Sequence, residues 1–329
     1  CLKVGVRFCS RPASEYVGEL AVTDLGVPLC RLPTAAPILE MLERDEVAAL
    51  LLPRAAVAHK GTFGHLLVVA GGPGKAGAAV LCARAGVRAG AGLVTVATPS
   101  EVLAQVAAGS VESMTMPLRS GPDGLDDDAV AAALAAAKGK SAIAIGPGLG
   151  TAPGTVSSVR ALVNRCDLPL VLDADGFHAF AGRPGKLRVR SAPTLLTPHP
   201  GEAARLLGVT VAEIEGDRLA AVRRLAAETA SIVILKGHPS LVATPSGDVS
   251  IVPVGNVVLA SGGSGDVLTG ILGSLLAQGY EPLAAAQLGA YLHGLASDLW
   301  VVANGSRGFA AGDLVAFLSA AFSALSRDP

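Results

Sequence analysis

From Gly64 onward, short runs rich in Val, Ile and Leu alternate with Ala-rich stretches whose apolar residues recur at helical spacing. The apolar runs at 65–70, 93–97, 142–145, 168–172, 195–197 and 232–235 read as strands. The stretches between them, at 76–89, 126–137, 156–164, 201–207 and 211–229, read as helices. A strand that is apolar at nearly every position must be covered on both faces, and a helix between two such strands is the crossover a parallel pair needs. The pattern predicts an α/β fold: a central, mostly parallel sheet with helices on both faces. Runs at 241–244 and 249–254 flank Ser246-Gly247-Asp248 as a hairpin would, which makes the sheet mixed at one edge. Helical patterns at 265–277, 282–302 and 313–325 follow.

Composition narrows the partners. The 329 residues carry 26 Lys+Arg against 27 Asp+Glu, for a formal charge of −1, without basic blocks. That balance argues against nucleic acid or an anionic membrane as the main partner. The apolar runs at 78–97 and 308–326 are broken by Arg84, Arg88 and Asp313, so neither reads as a bilayer span. With 3% aromatic residues and 40 glycines, recognition by stacked rings is disfavoured and recognition by main-chain groups at glycine turns is favoured. The five cysteines (Cys1, Cys9, Cys30, Cys82 and Cys166) form no C-x-x-C pair and read as free thiols of a reducing, cytoplasmic compartment.

Residues 1–45 differ in character from the rest. They hold β-like pieces at 2–8 and 19–23, prolines at 12, 28, 33 and 37, and the start of a helically spaced stretch at 38–52. They read as an extension leading into one domain over 46–329. The chain opens on Cys1 without an initiator Met, which is expected of a fragment or a processed product.

In open α/β sheets ligands bind beyond the C-terminal ends of the strands, and there the glycines concentrate. Ser261-Gly262-Gly263-Ser264-Gly265-Asp266 runs straight into a helical pattern. Small residues let N–H groups converge at the positive end of a helix, an anion hole suited to a phosphoryl group. Asp266 could accept a proton from an attacking hydroxyl there, or simply cap the helix. No Lys-Ser/Thr follows the glycines, so this is not a Walker loop, and Gly71-Gly72-Pro73-Gly74 lacks the dinucleotide spacing. Gly146-Pro147-Gly148-Leu149-Gly150 allows close backbone approach or is an ordinary turn. Asp173-Ala174-Asp175 places two carboxylates at a strand end, for magnesium waters, ribose hydroxyls or a helix cap. His199 is bracketed by Pro198 and Pro200, and Lys236-Gly237-His238-Pro239-Ser240 supplies a cation and a hydroxyl after a strand.

Taken in order, Lys60-Gly61-Thr62-Phe63-Gly64-His65, Gly77-Ala78-Ala79, Arg88-Ala89-Gly90-Ala91-Gly92, the 146–150 loop, Thr197-Pro198-His199-Pro200-Gly201-Glu202, Lys236-Gly237 and the 262–270 segment resemble the ADP- or ATP-dependent NAD(P)H-hydrate dehydratases. The resemblance covers roughly residues 45–325 and implies a ribokinase-like fold. It also implies an activity: a hydro-lyase that restores the S epimer of hydrated NADH or NADPH, using ADP or ATP as co-substrate with Mg2+. By resemblance, Asp266 is catalytic, and Ala78, Ala79, Gly146, Gly148, Gly150, His199 and Asp266 contact the hydrate. Lys236, Gly237, His238, Pro239, Ser240, Gly262, Gly263, Ser264 and Gly265 contact the nucleotide, and Glu202 meets the metal through water. The family's habit also implies a homo-oligomer, in the form of a tetramer. Related kinases have Asn where His199 stands, which disfavours a vitamin or sugar kinase of the same fold. Residues 1–28, and 18–28 in particular, resemble the linker end of an NAD(P)H-hydrate epimerase domain. The chain departs from the family pattern at His178, where Asn is usual, at Ser264, where Thr is usual, and at Val257-Val258, where Pro-Gly is usual. Two β-branched residues in place of a Pro-Gly turn lead one to expect an altered loop, and with it a weakened, nucleotide-binding protein as a further alternative.

Overall fold

A computed structural model of the protein describes residues 38–54 and 57–326. The chain enters through β1 (Leu39–Met41) and α1 (Arg44–Ala49), then runs β2 (His65–Val69), α2 (Ala76–Arg88), β3 (Leu93–Pro99), α3 (Leu103–Gly109) and β4 (Met114–Leu118). A small hairpin, β5 (Ser120–Gly121) and β6 (Gly124–Leu125), leads to α4 (Asp127–Ala137), β7 (Ala142–Ile145), α5 (Pro153–Arg165) and β8 (Leu170–Leu172). Next come β9 (Thr194–Leu196), α6 (Pro200–Leu207), α7 (Val211–Gly216), α8 (Arg218–Thr229) and β10 (Ile232–Leu235). The hairpin β11 (Ser240–Ala243) and β12 (Val249–Val252) precedes three helices: α9 (Ser264–Ala277), α10 (Pro282–Asn304) and α11 (Ala311–Leu325).

Ten strands form one sheet in the order β1-β12-β11-β10-β9-β8-β7-β2-β3-β4. Pairing is parallel except where β11 runs antiparallel to β10 and to β12. This is the mostly parallel, mixed sheet that the apolar runs predict, with the hairpin at 240–252 turning the direction. Both faces are filled. Along β2, Leu66 and Val68 join the core beneath α2, α9, α10 and α11, while Leu67 and Val69 join the core on the other face. The period-two alternation of a strand thus sends consecutive apolar residues into two different cores, which is why the run has no polar positions.

The side of the sheet that carries α9 is packed backbone to backbone. A Cβ on Gly270 would lie 2.1 Å from the Cys82 carbonyl oxygen of α2, so only glycine lets these two helices meet. Their contact fixes where the first turn of α9 stands against α2.

Several sequence expectations are corrected. The 38–52 stretch is not one helix: residues 39–41 pair with β12, and α1 begins only at Arg44. The edge strand of the sheet therefore lies in the segment read as an extension. The 211–229 helix is two, broken at Asp217, whose side chain accepts from the Ala220 N–H and starts α8 afresh. The strand β4 escapes the sequence reading because Met114-Thr115-Met116-Pro117-Leu118 lacks a β-branched run and contains a proline, tolerable only because β4 is an edge. The 2–8 and 19–23 pieces and the epimerase-like 18–28 segment lie outside the described residues. Cys82 and Cys166 are free and buried. Among the described residues no helix is long and apolar enough to cross a membrane.

Gly270→Ala is expected to lower stability by about 1–3 kcal/mol in urea unfolding, because α2 and α9 must separate. Gly216→Ala, with open space around its Cβ position, serves as the control and should be neutral or gain about 0.4–1 kcal/mol. Equal effects of the two would contradict the helix contact described here.

Candidate active site

The parallel strands β8, β9 and β10 end on the same rim of the sheet, and each delivers a charged or polar residue there. Asp173 follows β8, Thr197 to His199 follow β9, and Lys236 follows β10. Opposite them stands the first turn of α9, with Gly263 as its N-cap at φ +94.

At the centre is Asp173, whose carboxylate is 1% exposed. One oxygen accepts from Lys236 Nζ at 3.0 Å and the other from Thr269 Oγ1 at 2.7 Å. A buried carboxylate must be paired and hydrogen-bonded, and here both oxygens are. On its other side Lys236 Nζ lies 3.6 Å from Glu202 Oε2. Burial alone would lower the Lys236 ammonium, but the Asp173 and Glu202 carboxylates outweigh it and push its pKa up. Gly265 sits directly over this cluster. A Cβ there would lie 3.2 Å from Lys236 Nζ and 3.7 Å from Asp173 Oδ2, so the missing side chain leaves the ammonium adjacent to the start of α9.

Glu202 and His199 form a capping box at the start of α6. The Glu202 carboxylate accepts from the His199 N–H at 2.7 Å, and the Gly201 N–H donates to His199 Nδ1 at 3.0 Å. With Nδ1 an acceptor, the ring proton belongs on Nε2, which lies 3.4 Å from Glu202 Oε1. Burial, then the Lys236 charge, lowers the His199 pKa and keeps the ring neutral, while burial raises that of Glu202. Among the described residues no three His, Cys, Asp or Glu side chains are grouped to hold a metal. Glu202 Oε2 thus faces both the His199 N–H and Lys236 Nζ, while Oε1 is turned toward the His199 ring.

Asp266 lies in the first turn of α9 and faces a cleft of about 400 Å³ that Ala78, Gly148, Gly262 and Gly263 also line. Burial, then the Asp173 charge, pushes its pKa up to about 7. A carboxylate poised near neutrality beside a helix N-terminus combines a proton acceptor with unpaired first-turn N–H groups. Of the sequence-predicted residues, Ala78, Gly148, Gly262, Gly263 and Asp266 line this cleft, while Lys236, Glu202, His199 and Gly265 gather around Asp173. Ala78 is on the cleft wall, whereas Ala79, a helical step round, is wholly buried in the core beneath the sheet. Gly146 serves packing: at φ +132, its Cβ would lie 1.8 Å from the Asp173 carbonyl oxygen. Gly150 presents its N–H to Asp175 at 2.8 Å. Ser264 is buried, its hydroxyl has no partner in the structure, and its carbonyl accepts from His293 Nε2 at 2.9 Å.

Residues that sequence reasoning missed hold the site from behind. Arg218 donates to the Pro239 carbonyl at 2.9 Å and approaches those of Leu235 and Lys236, so it stitches the turn containing Gly237, the cis His238-Pro239 bond and Ser240. His293, pushed down to about 4 by burial, stays neutral and fixes the first residue of α9. Nothing in the local sequence marks either, since both act across elements. The Val257-Val258 pair lies in an ordered segment: residues 257–259 form a 3-10 turn capped by the Asn256 side chain. Asp298 on α10 accepts from Asn256 Nδ2 at 2.7 Å and from the Gly255 N–H at 2.9 Å, anchoring it.

Comparison with known proteins places these features. The family model described as NAD(P)H-hydrate dehydratase matches residues 66–319. The bifunctional NAD(P)H-hydrate repair enzyme of Moorella thermoacetica is 43% identical over 308 residues, which are 93% of this chain and 58% of that protein. The chain thus spans a little over half the length of such bifunctional relatives. An ADP-dependent (S)-NAD(P)H-hydrate dehydratase of Neisseria meningitidis is 44% identical over 265 residues, covering 79% of this chain and 83% of that one. A Bacillus subtilis ADP/ATP-dependent NAD(P)H-hydrate dehydratase, co-crystallised with ATP and Mg2+, superposes with a TM-score of 0.77 at 31% identity, over 89% of this chain and all of that one. A ribokinase-like superfamily protein of Enterococcus faecalis shares the fold, with a TM-score of 0.74.

The raised Asp266 pKa predicts a pH-dependent cost to stability. An Asp that titrates near 7 when folded and near 3.9 when unfolded contributes its full stabilisation below about 3.9 and loses it as pH rises through about 7. Asp266→Asn cannot ionise, so thermal unfolding should show its Tm advantage over the parent growing from pH 5 to pH 8. A pH-independent difference would mean that Asp266 is not held in a desolvated setting.

Proposed function

The chain belongs to the NAD(P)H-hydrate dehydratase family, and on that premise we propose that it dehydrates the S epimer of hydrated NADH or NADPH at the expense of ADP or ATP. The observation that carries the reading is Asp266 itself, a half-buried carboxylate with a pKa of about 7, at the N-terminal turn of α9 and on the wall of the cleft.

Hydroxide is a poor leaving group and phosphate a good one. In the proposed reaction the C6 hydroxyl of the hydrate attacks the terminal phosphoryl of the nucleotide and Asp266 takes the hydroxyl proton. The N–H groups of the Gly262 to Gly265 segment, which leads into the first turn of α9, stabilise charge on the phosphoryl as it passes. Elimination then breaks the C6–O bond, with the oxygen leaving as phosphate and the C5 proton passing to solvent, and leaves NADH or NADPH with AMP, or with ADP when ATP is used. Lys236, held by Asp173 against Gly265, supplies positive charge beside the phosphates, and the 237–240 turn borders the nucleotide. Ala78, the 146–150 loop and His199 flank the hydrate. Magnesium brought by the nucleotide would neutralise phosphate charge, with Glu202 reaching it through water. The same reading has the protein work in the cytoplasm as a homo-oligomer, tetrameric by resemblance, which sedimentation tests. Residues before β1 are proposed to lead from an epimerase-like segment.

The direct test is incubation with chemically prepared NADH hydrate and ADP or ATP, with recovery followed at the reduced-nicotinamide absorbance. Recovery should require nucleotide and rise with pH through about 7 as Asp266 ionises. Asp266→Asn should lose about a hundredfold or more in kcat. Gly265→Val should abolish nucleotide use, because the added side chain would press on Lys236 Nζ. A stable phosphorylated small molecule without recovery would point to a kinase, and nucleotide binding with neither product to a binding protein.

A further inference from the structure

Asp173 and Asp175 are separated by one residue yet face different tasks. Asp173 turns inward to Lys236 and Thr269. Asp175 turns outward, and its Oδ2 accepts from the Gly150 N–H at 2.8 Å and from Lys75 Nζ at 2.9 Å. Between them Ala174 holds φ at +51, in the left-handed region that residues with a side chain rarely occupy. The other such residue described, Ala230, caps the end of α8, where this conformation is routine. Ala174 has no such excuse, and it lies on the cleft wall. An unfavourable backbone conformation persists only where the surroundings over-determine it, and here it splits two neighbouring carboxylates between two sites.

The two groups that Asp175 joins belong to opposite walls of the cleft. Lys75 is the N-cap of α2, one turn before Ala78. Gly150 closes the loop that follows β7. The walls already touch: the Gly71 N–H donates to the Pro147 carbonyl at 2.8 Å, and a Cβ on Gly148 would lie 2.8 Å from the Lys75 carbonyl oxygen. Backbone contact at that depth leaves the rim to be set by a side chain, and Asp175 is the side chain that spans it.

We propose that Asp175 is a positioning residue for the dinucleotide cradle, holding the 146–150 loop and the Lys75 turn at the separation that admits the nicotinamide half of the substrate. The identity of that ligand rests on the dehydration reading; the latch itself rests on the contacts above. Asp175 takes no proton from the substrate and bonds none of its reacting atoms. Its loss loosens hydrate and product binding while leaving the nucleotide side of the cleft, built by Lys236 and α9, intact.

Calorimetric titration of the full chain with NADPH, the product of the proposed reaction, reads the cradle without turnover. A salt concentration of about 0.3 M screens the Lys75 ammonium that the substitutions set free. Asp175→Ala should bind NADPH about tenfold more weakly, the loss expected for a hydrogen bond to a charged group, with AMP affinity and Tm unchanged. Asp175→Asn keeps an acceptor for the Gly150 N–H and should recover most of that loss. In turnover, the KM for the hydrate should rise while the KM for nucleotide stays within twofold. Unchanged NADPH affinity in Asp175→Ala overturns the proposal, as does a parallel loss of NADPH affinity, AMP affinity and Tm, which would make the residue merely structural. If the parent protein binds NADPH and Asp175→Ala weakens it but hydrate is not restored, the latch stands and the dehydration reading falls. If the parent does not bind NADPH, the latch is overturned as a dinucleotide device.

Discussion

The site depends on one buried carboxylate. Asp173 accepts from Lys236 and Thr269, and so ties the end of β8 to the end of β10 and to the second turn of α9. Removing one partner from a buried ion pair strands the other charge, a loss of about 3–5 kcal/mol in comparable cases. Lys236 is therefore not a free cation that swings to meet a ligand. It is fixed before any ligand arrives, with Glu202 on one side and Asp173 on the other, and preorganised charge acts on a developing transition state without reorganising. The same carboxylate opposes ionisation of Asp266 and thereby helps place its titration near neutral pH.

Around that pair the molecule uses absence of side chains as a structural material. Gly265 leaves α9 bare where Lys236 approaches, and Gly270, further along the same helix, lets α9 meet the backbone of α2. The first is a matter of chemistry and the second of placement, but they are coupled, because the helix that carries Asp266 is aimed by its contact at Gly270. A low aromatic content fits this plan, since surfaces made of backbone amides do not need stacked rings.

The loops around the cleft are braced from outside it. Val257-Val258 lie in a 3-10 turn in the segment before the glycines of 262–265, and Asp298 holds Asn256 and Gly255. The tether comes from α10, which also supplies His293 to the Ser264 carbonyl. One helix thus steadies both ends of the 255–264 segment. Arg218 on α8 does the same for the turn after β10, at the cost of burying a guanidinium against three carbonyl groups.

What the sequence determined by itself was the layer architecture and the location of the chemistry. Uniformly apolar strands such as 142–145 admit only a sheet covered on both faces, and the glycine segment before Asp266 reads as an anion hole because local residue types dictate local backbone. The limits follow from the same physics. An edge strand such as β4 carries no β-branched run and holds a proline, so nothing local marks it, and the break at Asp217 depends on a single cap. Which of two adjacent alanines faces the cleft, why Asp173 and Asp175 part company, and how Arg218, His293 and Asp298 brace loops distant in sequence were decided only by tertiary structure. Those are properties of residues 17 to 100 positions apart that meet in space, and no local pattern of residue types encodes such a meeting.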